Sequence, residues 1–311
     1  MARVEFLKIS SFLLAGALMA APAAAQSKAT GADAQSQAMS DQTLSRIAAR
    51  GEFVLGHRES TVPFSYIDAA TKTPTGYTVD ICRRIYERVK LELKRPDLKL
   101  RYSLVEGKNR ISDVKSGVVD VECGATTITA ERQKDIDFSY TFFVAGTTFM
   151  VKKDSGISNI VDLRNKRVAV AAGTTTERQM QLVSSNDQLN IQAVPAKDAA
   201  AAFALFANGQ ADAVISEDAG LWGFASNTPD PSQFKFLARH LSQEPYGIGF
   251  AKNSPQFSAM VDQAMLKVFE SGEALAMFDK WFVNGPGVKF PFPKSPLVVD
   301  AFKRPSKFSP L

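Results

Sequence analysis

The chain has 311 residues, 45% of them hydrophobic and 22% charged, with a formal charge of +5. Such a composition supplies full hydrophobic cores for about two domains, and the mild, scattered positive charge, with no basic block interleaved with aromatics, argues against a nucleic-acid partner. Two histidines and two cysteines, none at ligand spacing, argue against a structural zinc site, and no cofactor is expected.

Arg3 and Lys8 precede an apolar run from Phe12 to Ala21, and Ala23, Ala24 and Ala25 supply the small-residue pattern at which signal peptidase cuts. Residues 1–25 therefore read as an export signal cleaved near Ala25, directing the chain to the periplasm. No cysteine follows, which argues against a lipid anchor, and no later segment reaches about 18 consecutive apolar residues, so a soluble mature chain is expected. Residues 26–42 are polar and small and read as a disordered leader. In an oxidising compartment Cys82 and Cys123 either form one disulfide or serve as small core residues.

TLSRIAARG, from Thr43 to Gly51 with Asp41 just upstream, reads as a capped helix, and FVLGH from Phe53 to His57 as the first strand. Arg58 follows that strand, where polar groups line ligand crevices in open α/β sheets. Gly76 and Tyr77 open an amphipathic helix over Thr78 to Leu93, with Ile81, Cys82, Ile85 and Val89 on one face. A strand from Leu98 to Val105 leads to a short helix from Gly107 to Gly117 that carries Arg110 just past the strand end.

The central stretch is VVDVECGATTITAER, Val118 to Arg132. It reads as a buried strand from Val118 to Cys123, Gly124, a run of small and hydroxyl residues (Ala125, Thr126, Thr127) and a helix start over Thr129 to Arg132. A helix N-terminus offers free N–H donors and the positive end of the dipole. With a threonine hydroxyl and the fork of Arg132 beside it, the stretch reads as a carboxylate receptor. The alternative is a plain cap by Thr129 and a solvated Arg132.

After a long extended run to Lys153 the pattern restarts. It gives a strand from Arg167 to Ala171, then Gly173 with Thr174, Thr175 and Thr176 entering a helix, where the threonines either cap the helix, Thr174 first among them, or bind a ligand anion, Thr174 and Thr175 being the candidates. A strand from Ile191 to Val194, a helix from Ala199 to Ala207 and a strand from Ala211 to Ser216 follow. Glu217 and Asp218 at the next helix start either hold a cation such as an α-ammonium or simply favour the helix. A second extended run (Glu244 to Phe250), a helix from Ser254 to Glu270 and a last helix ending at Phe282 complete the chain, whose Pro-, Lys- and Phe-rich remainder reads as irregular. Neither half carries a phosphate-binding signature.

This order describes an α/β protein of two lobes joined by two crossings. The expected divisions are 43–144 with 248–296 for the first lobe, 149–243 for the second, 145–148 and 244–247 for the hinge, and 297–311 for a tail. HRESTVPFSY, NRI from Asn109 to Ile111, VDVECGATT, ERQKDIDFS, DLRNKRVAV, GTTTE, SQEPYGIGF and SGEALAMFDKWF together resemble the periplasmic glutamate/aspartate-binding proteins of ABC importers, which are type II periplasmic solute-binding proteins of family 3.

The resemblance implies that Arg132, helped by Thr127 and Thr175, clamps an α-carboxylate, and that Arg58 and Arg110 receive a side-chain carboxylate. Four positions depart from the pattern: Gly107 and Ala125 stand where the family has serine, Ala199 where it has histidine, and Glu217 where it has the aspartate that meets the α-ammonium. The first three remove donors and add space, so the implied ligand is glutamate, aspartate or a longer acidic compound. Implied too are a monomer that closes on its ligand and partners in ABC permease subunits. Two other readings of the same pocket are a cyclohexadienyl dehydratase-like enzyme with Glu217 as general acid, and a module reporting to a membrane sensor.

Overall fold

The computed structural model describes residues 41–285, 288–289 and 291–307. The export signal and nearly all of the expected leader lie outside the described residues. The elements in chain order begin with α1 (Gln42–Arg50), β1 (Glu52–His57), β2 (Ser60–Thr61), β3 (Ser65–Ile67), β4 (Pro74–Thr75), α2 (Tyr77–Glu92), β5 (Lys99–Leu104), α3 (Arg110–Ser116), β6 (Val121–Glu122), β7 (Ile136–Phe138) and β8 (Phe143–Lys152). They continue with β9 (Arg167–Ala171), α4 (Thr175–Asn186), β10 (Gln192–Ala196), α5 (Ala199–Ala207), β11 (Ala213–Glu217), α6 (Asp218–Ser226), β12 (Phe234–Phe236), β13 (Ser242–Tyr246), β14 (Gly249–Ala251), α7 (Pro255–Glu270), α8 (Glu273–Phe278) and α9 (Pro296–Lys303).

Two larger sheets organise the chain. The first runs β5-β1-β6-β14-β7 and the second β10-β9-β11-β8-β12, with β13 also on β8. In each, the strands that alternate with helices are parallel (β1 with β5 and β6; β9 with β10 and β11), as right-handed crossovers require. The strands that carry the chain between the sheets, β8 and β13, pair antiparallel from Ser242↔Thr147 to Tyr246↔Phe143. A small third sheet, β2-β3-β4, forms in the stretch after Arg58.

The first core holds the apolar face of α2, the inner face of α7 and an aromatic cluster at the crossing. There Phe143 lies 4.9 Å from Phe64 and 5.2 Å from Phe282, centroid to centroid, in edge-on and stacked arrangements. Ala219 and Trp222 of α6, which starts in the second sheet, enter this same core. Separate apolar clusters cover the two faces of the second sheet. Cys82 of α2 and Cys123 at the end of β6 are joined by a disulfide, resolving the alternative left open by the sequence.

Three expectations are corrected. Asp41 and Gln42, assigned to the leader, belong to the fold: Asp41 is buried and one carboxylate caps two helices, accepting from Thr43 N and Leu44 N of α1 (3.1 Å each) and from Gln256 N and Phe257 N of α7 (3.0 and 3.1 Å). The irregular tail contains α9, because Val298 and Phe302 form an apolar face, Phe302 stacking 5.1 Å from Phe269. The helix expected over Thr129 to Arg132 is only a 3-10 turn at Arg132–Lys134, ahead of which Thr129 Oγ1 accepts from Arg132 N (3.2 Å). So short a turn aligns few peptide dipoles and offers little positive end.

Candidate functional site

Six strand ends point at one volume between the sheets. Arg58 follows β1, Gly107 and Arg110 follow β5, Ala125, Thr127 and Arg132 follow β6; from the other side Thr174 and Thr175 follow β9, Asp198 and Ala199 follow β10, and Glu217 ends β11. All of these residues, with Lys197 and Ser216, line a cavity of about 80 Å³. Convergence at strand carboxyl ends follows from parallel pairing, which leaves those ends and the following loops on one edge of each sheet. Of the sequence candidates, Arg58, Arg110, Ala125, Thr127, Arg132, Thr174, Thr175 and Glu217 are brought together.

Asp218 is not. Its Oδ1 accepts from Gly146 N (3.1 Å) and from its own helix at Ala219 N (2.7 Å), and Oδ2 lies 3.3 Å from His240 Nε2. As the first residue of α6 it folds back on that helix end and onto β8, so it holds the crossing strand instead of facing the cavity. Burial pushes its carboxyl upward against those hydrogen bonds. Thr174 reaches the cavity with its hydroxyl already committed, accepting from Glu177 N (3.1 Å) and donating to Ala171 O (2.8 Å), as its expected capping role demands. Thr175, buried at the first turn of α4, is the threonine whose N-terminal position suits an anion.

The electrostatics are concentrated in three guanidinium groups. Arg110 is only 6% exposed, and burial first, then the neighbouring Arg132, pushes its guanidinium down to about 9. Arg132 is lowered too, by burial, while its Nη1 donates to Thr127 O at 2.7 Å. A cation held at such a cost is relieved by an anion placed beside it. Of the cavity's lining, four side chains are cationic (Arg58, Arg110, Arg132, Lys197) and two are carboxylates (Asp198, Glu217). Glu217 is pushed upward by burial and then by Glu244, while Ser216 Oγ donates to it at 2.9 Å.

Two buried carboxylates escaped the sequence reading. Glu122 of β6 is 1% exposed, and neither of its oxygens has a hydrogen-bond partner among the described residues. It tempers the charge of Arg110 and Arg132 from beneath. Its signal was an acidic residue between Val121 and Cys123 in a buried strand. Gly124 makes room for it, since a side chain there would run into Glu122 Oε1 and come within 3.0 Å of Arg58 Cγ. Glu244 on β13 is fully buried and accepts from Thr147 Oγ1 (3.1 Å) and Ser242 Oγ (2.7 Å), which ties a carboxylate into the crossing next to Glu217.

The two sides touch at the cavity rim. Ser60 Oγ donates to Asp198 Oδ2 at 3.3 Å, and Arg178 Nη1 lies 3.9 Å from Glu131 Oε2. The arrangement is a two-sided pocket rich in cations, with hydroxyls and two carboxylates, of which Asp198 is engaged by Ser60 Oγ and Ala201 N. Among the described residues no cluster of His, Cys, Asp and Glu fits a metal ion, and no helix is long and apolar enough to cross a membrane.

Comparison with known proteins matches residues 53–284 to the bacterial extracellular solute-binding proteins, family 3. The chain is 39% identical over 242 residues to a glutamate/aspartate import solute-binding protein of Escherichia coli, covering 78% of this chain and 80% of that protein. It is 37% identical over 256 residues to an L-glutamate/L-aspartate-binding protein of Pseudomonas aeruginosa, covering 81% and 85%. Among solved structures, a mutant of ArgBP from T. maritima superposes with a TM-score of 0.68 at 28% identity, covering 78% of this chain and 99% of that one.

Proposed function

The chain belongs to family 3 of the bacterial extracellular solute-binding proteins, and on that premise we propose that it captures an acidic amino acid in the interlobe cavity and delivers it to an ABC permease. The observation that carries this reading is the convergence of Arg58, Arg110 and Arg132 on one cavity with Glu217 opposite. An acidic amino acid presents two carboxylates and one ammonium, which is the complement of that set. Arg132, Thr127 and the N-terminal turn at Thr175 take the α-carboxylate, Glu217 takes the α-ammonium, and Arg58 with Arg110 takes the distal carboxylate. A neutral amino acid leaves the buried Arg110 and the half-buried Arg58 without a ligand anion, and for the buried one that costs several kcal/mol.

Ligand enters the open form on the first lobe, and hinge motion at residues 145–148 and 244–247 brings in the second. Closure is a shift of an existing equilibrium, and the closed form presents both lobes to the permease. The protein acts as a monomer in the periplasm after cleavage near Ala25. Capture instead of catalysis is supported by the relatives, which are named as binding proteins and match over most of their length; release of product from prephenate or arogenate would overturn it.

The test is thermal unfolding of protein stripped of carried ligand by unfolding and refolding, against amino acids and dicarboxylates. A ligand at 100 times its Kd adds about 2.7 kcal/mol. The largest shift is expected from glutamate, aspartate or another acidic amino acid; a larger shift from a neutral one overturns the proposal.

A further inference from the structure

Building on the acidic-amino-acid reading, we propose that the distal end of the cavity takes a second residue linked through the ligand's side-chain carboxyl, so that γ-glutamyl dipeptides are ligands beside free acidic amino acids. Next to the inner cavity of about 80 Å³ lies an outer one of about 420 Å³. The two share Arg58, Gly107, Ala172, Lys197 and Asp198, so they meet on the side of the distal arginines and away from Arg132 and Glu217.

Gly107 is the gate between them. A Cβ at that position would stand 3.3 Å from Arg58 Nη2 and 3.4 Å from Arg110 Nη1, so any side chain would occupy the space in front of both guanidinium groups. Without one, a chain leaving the ligand's γ-carbonyl can pass outward.

The outer cavity also has suitable chemistry. It adds Lys108, Glu59 and Glu106 to the shared charges, and Leu104 and Val105 to its walls. Mixed charge and apolar surface suit a dipolar amide and a small residue better than bare space for a longer alkyl acid. Forming the γ-amide removes the distal carboxylate, but the second residue brings its own, which Arg58 and Lys197 are placed to receive. Arg58 therefore keeps an anion and Arg110, which lines the inner cavity alone, is left to donate to the γ-carbonyl oxygen, whereas glutamine supplies an anion to neither. The α-amino and α-carboxylate groups stay free for Glu217 and Arg132. Ser60 Oγ and Asp198 Oδ2, 3.3 Å apart, both line the outer cavity, so the two sides already meet there with its volume of about 420 Å³ still between them.

Titration calorimetry of the refolded chain with L-glutamate, γ-L-glutamylglycine and L-glutamine tests this, with Gly107→Ser narrowing the gate and Lys197→Ala removing an exposed cation. The dipeptide is expected to bind within about tenfold of glutamate, and each variant to lower the dipeptide-to-glutamate affinity ratio, Gly107→Ser by about tenfold or more. Binding of glutamate without the dipeptide overturns the inference and leaves the acidic-amino-acid reading standing, as does dipeptide binding whose ratio neither variant changes. Binding of the dipeptide without glutamate overturns the acidic-amino-acid reading and, with it, the inference that the two are alternative ligands, and binding of neither overturns both.

Discussion

Replacing Glu217 by Gln changes stability and affinity in opposite directions. The side chain is nearly isosteric, so packing and the 2.9 Å bond from Ser216 Oγ can persist while the charge is lost. In the empty protein that charge is a liability, because burial and then Glu244 raise the folded pKa above the ordinary 4.5. A raised folded pKa means that the stability tied to the proton is fully present below 4.5 and is lost as pH rises through the folded value. Unliganded Glu217→Gln should therefore unfold at a higher temperature than the parent near pH 7.5, and the gap should close near pH 4.

In the liganded protein the proposed role of the same charge is to meet the α-ammonium. A hydrogen bond to a charged group contributes about 1.5–3 kcal/mol, so glutamate should bind roughly 10- to 150-fold more weakly to the variant. Thermal unfolding of stripped protein at both pH values, followed by titration calorimetry, reads both effects. A variant less stable than the parent at neutral pH, with glutamate affinity within about twofold, refutes the placing of Glu217 against both Glu244 and the ligand.

Arg132→Lys keeps the charge but replaces a planar fork with a point donor, so glutamate affinity should fall at least about tenfold in calorimetry while the fold, read by circular dichroism, is retained. Asp41→Ala uncaps α1 and α7 together; at about 1 kcal/mol per cap the urea midpoint should fall by the equivalent of about 2 kcal/mol, with ligand affinity unchanged. Removing the Cys82–Cys123 bond by a double Ala substitution opens a link across a separation of 41 residues, and a chain-entropy estimate puts the loss at about 4 kcal/mol, visible as a lower Tm under oxidising conditions.

The architecture was legible because periodicity changes sharply along the chain. The apolar face of Ile81, Cys82, Ile85 and Val89 is that of α2, and the repeated strand, hydroxyl-rich turn and helix of the second unit appear as β9, Thr174 and α4. Boundaries were poorer where tertiary contacts decide. Val118 and Val119 extend the pattern of β6, yet only Val121–Glu122 pairs as strand, and Val118 is exposed.

Within the site, the arginines announced themselves by following strand ends, and Thr174 by preceding a helix. Asp218 misled because a carboxylate after a strand looks the same in sequence whether it faces a ligand or its own helix end; only the approach of Gly146 N and His240 decides. Glu122 and Glu244 were hidden for another reason. Their burial comes from neighbours distant in sequence, β14 beside one and β8 beside the other.

The central claim is that a cavity rich in cations selects an amino acid with a second negative charge. L-glutamate and L-glutamine differ there and almost nowhere else, so side-by-side titration calorimetry of the stripped protein is the most direct measurement. Saturable glutamate binding at least about a hundredfold tighter than glutamine is expected, the consequence of leaving Arg58 and Arg110 without a ligand anion. Glutamine binding as tightly as glutamate would contradict it.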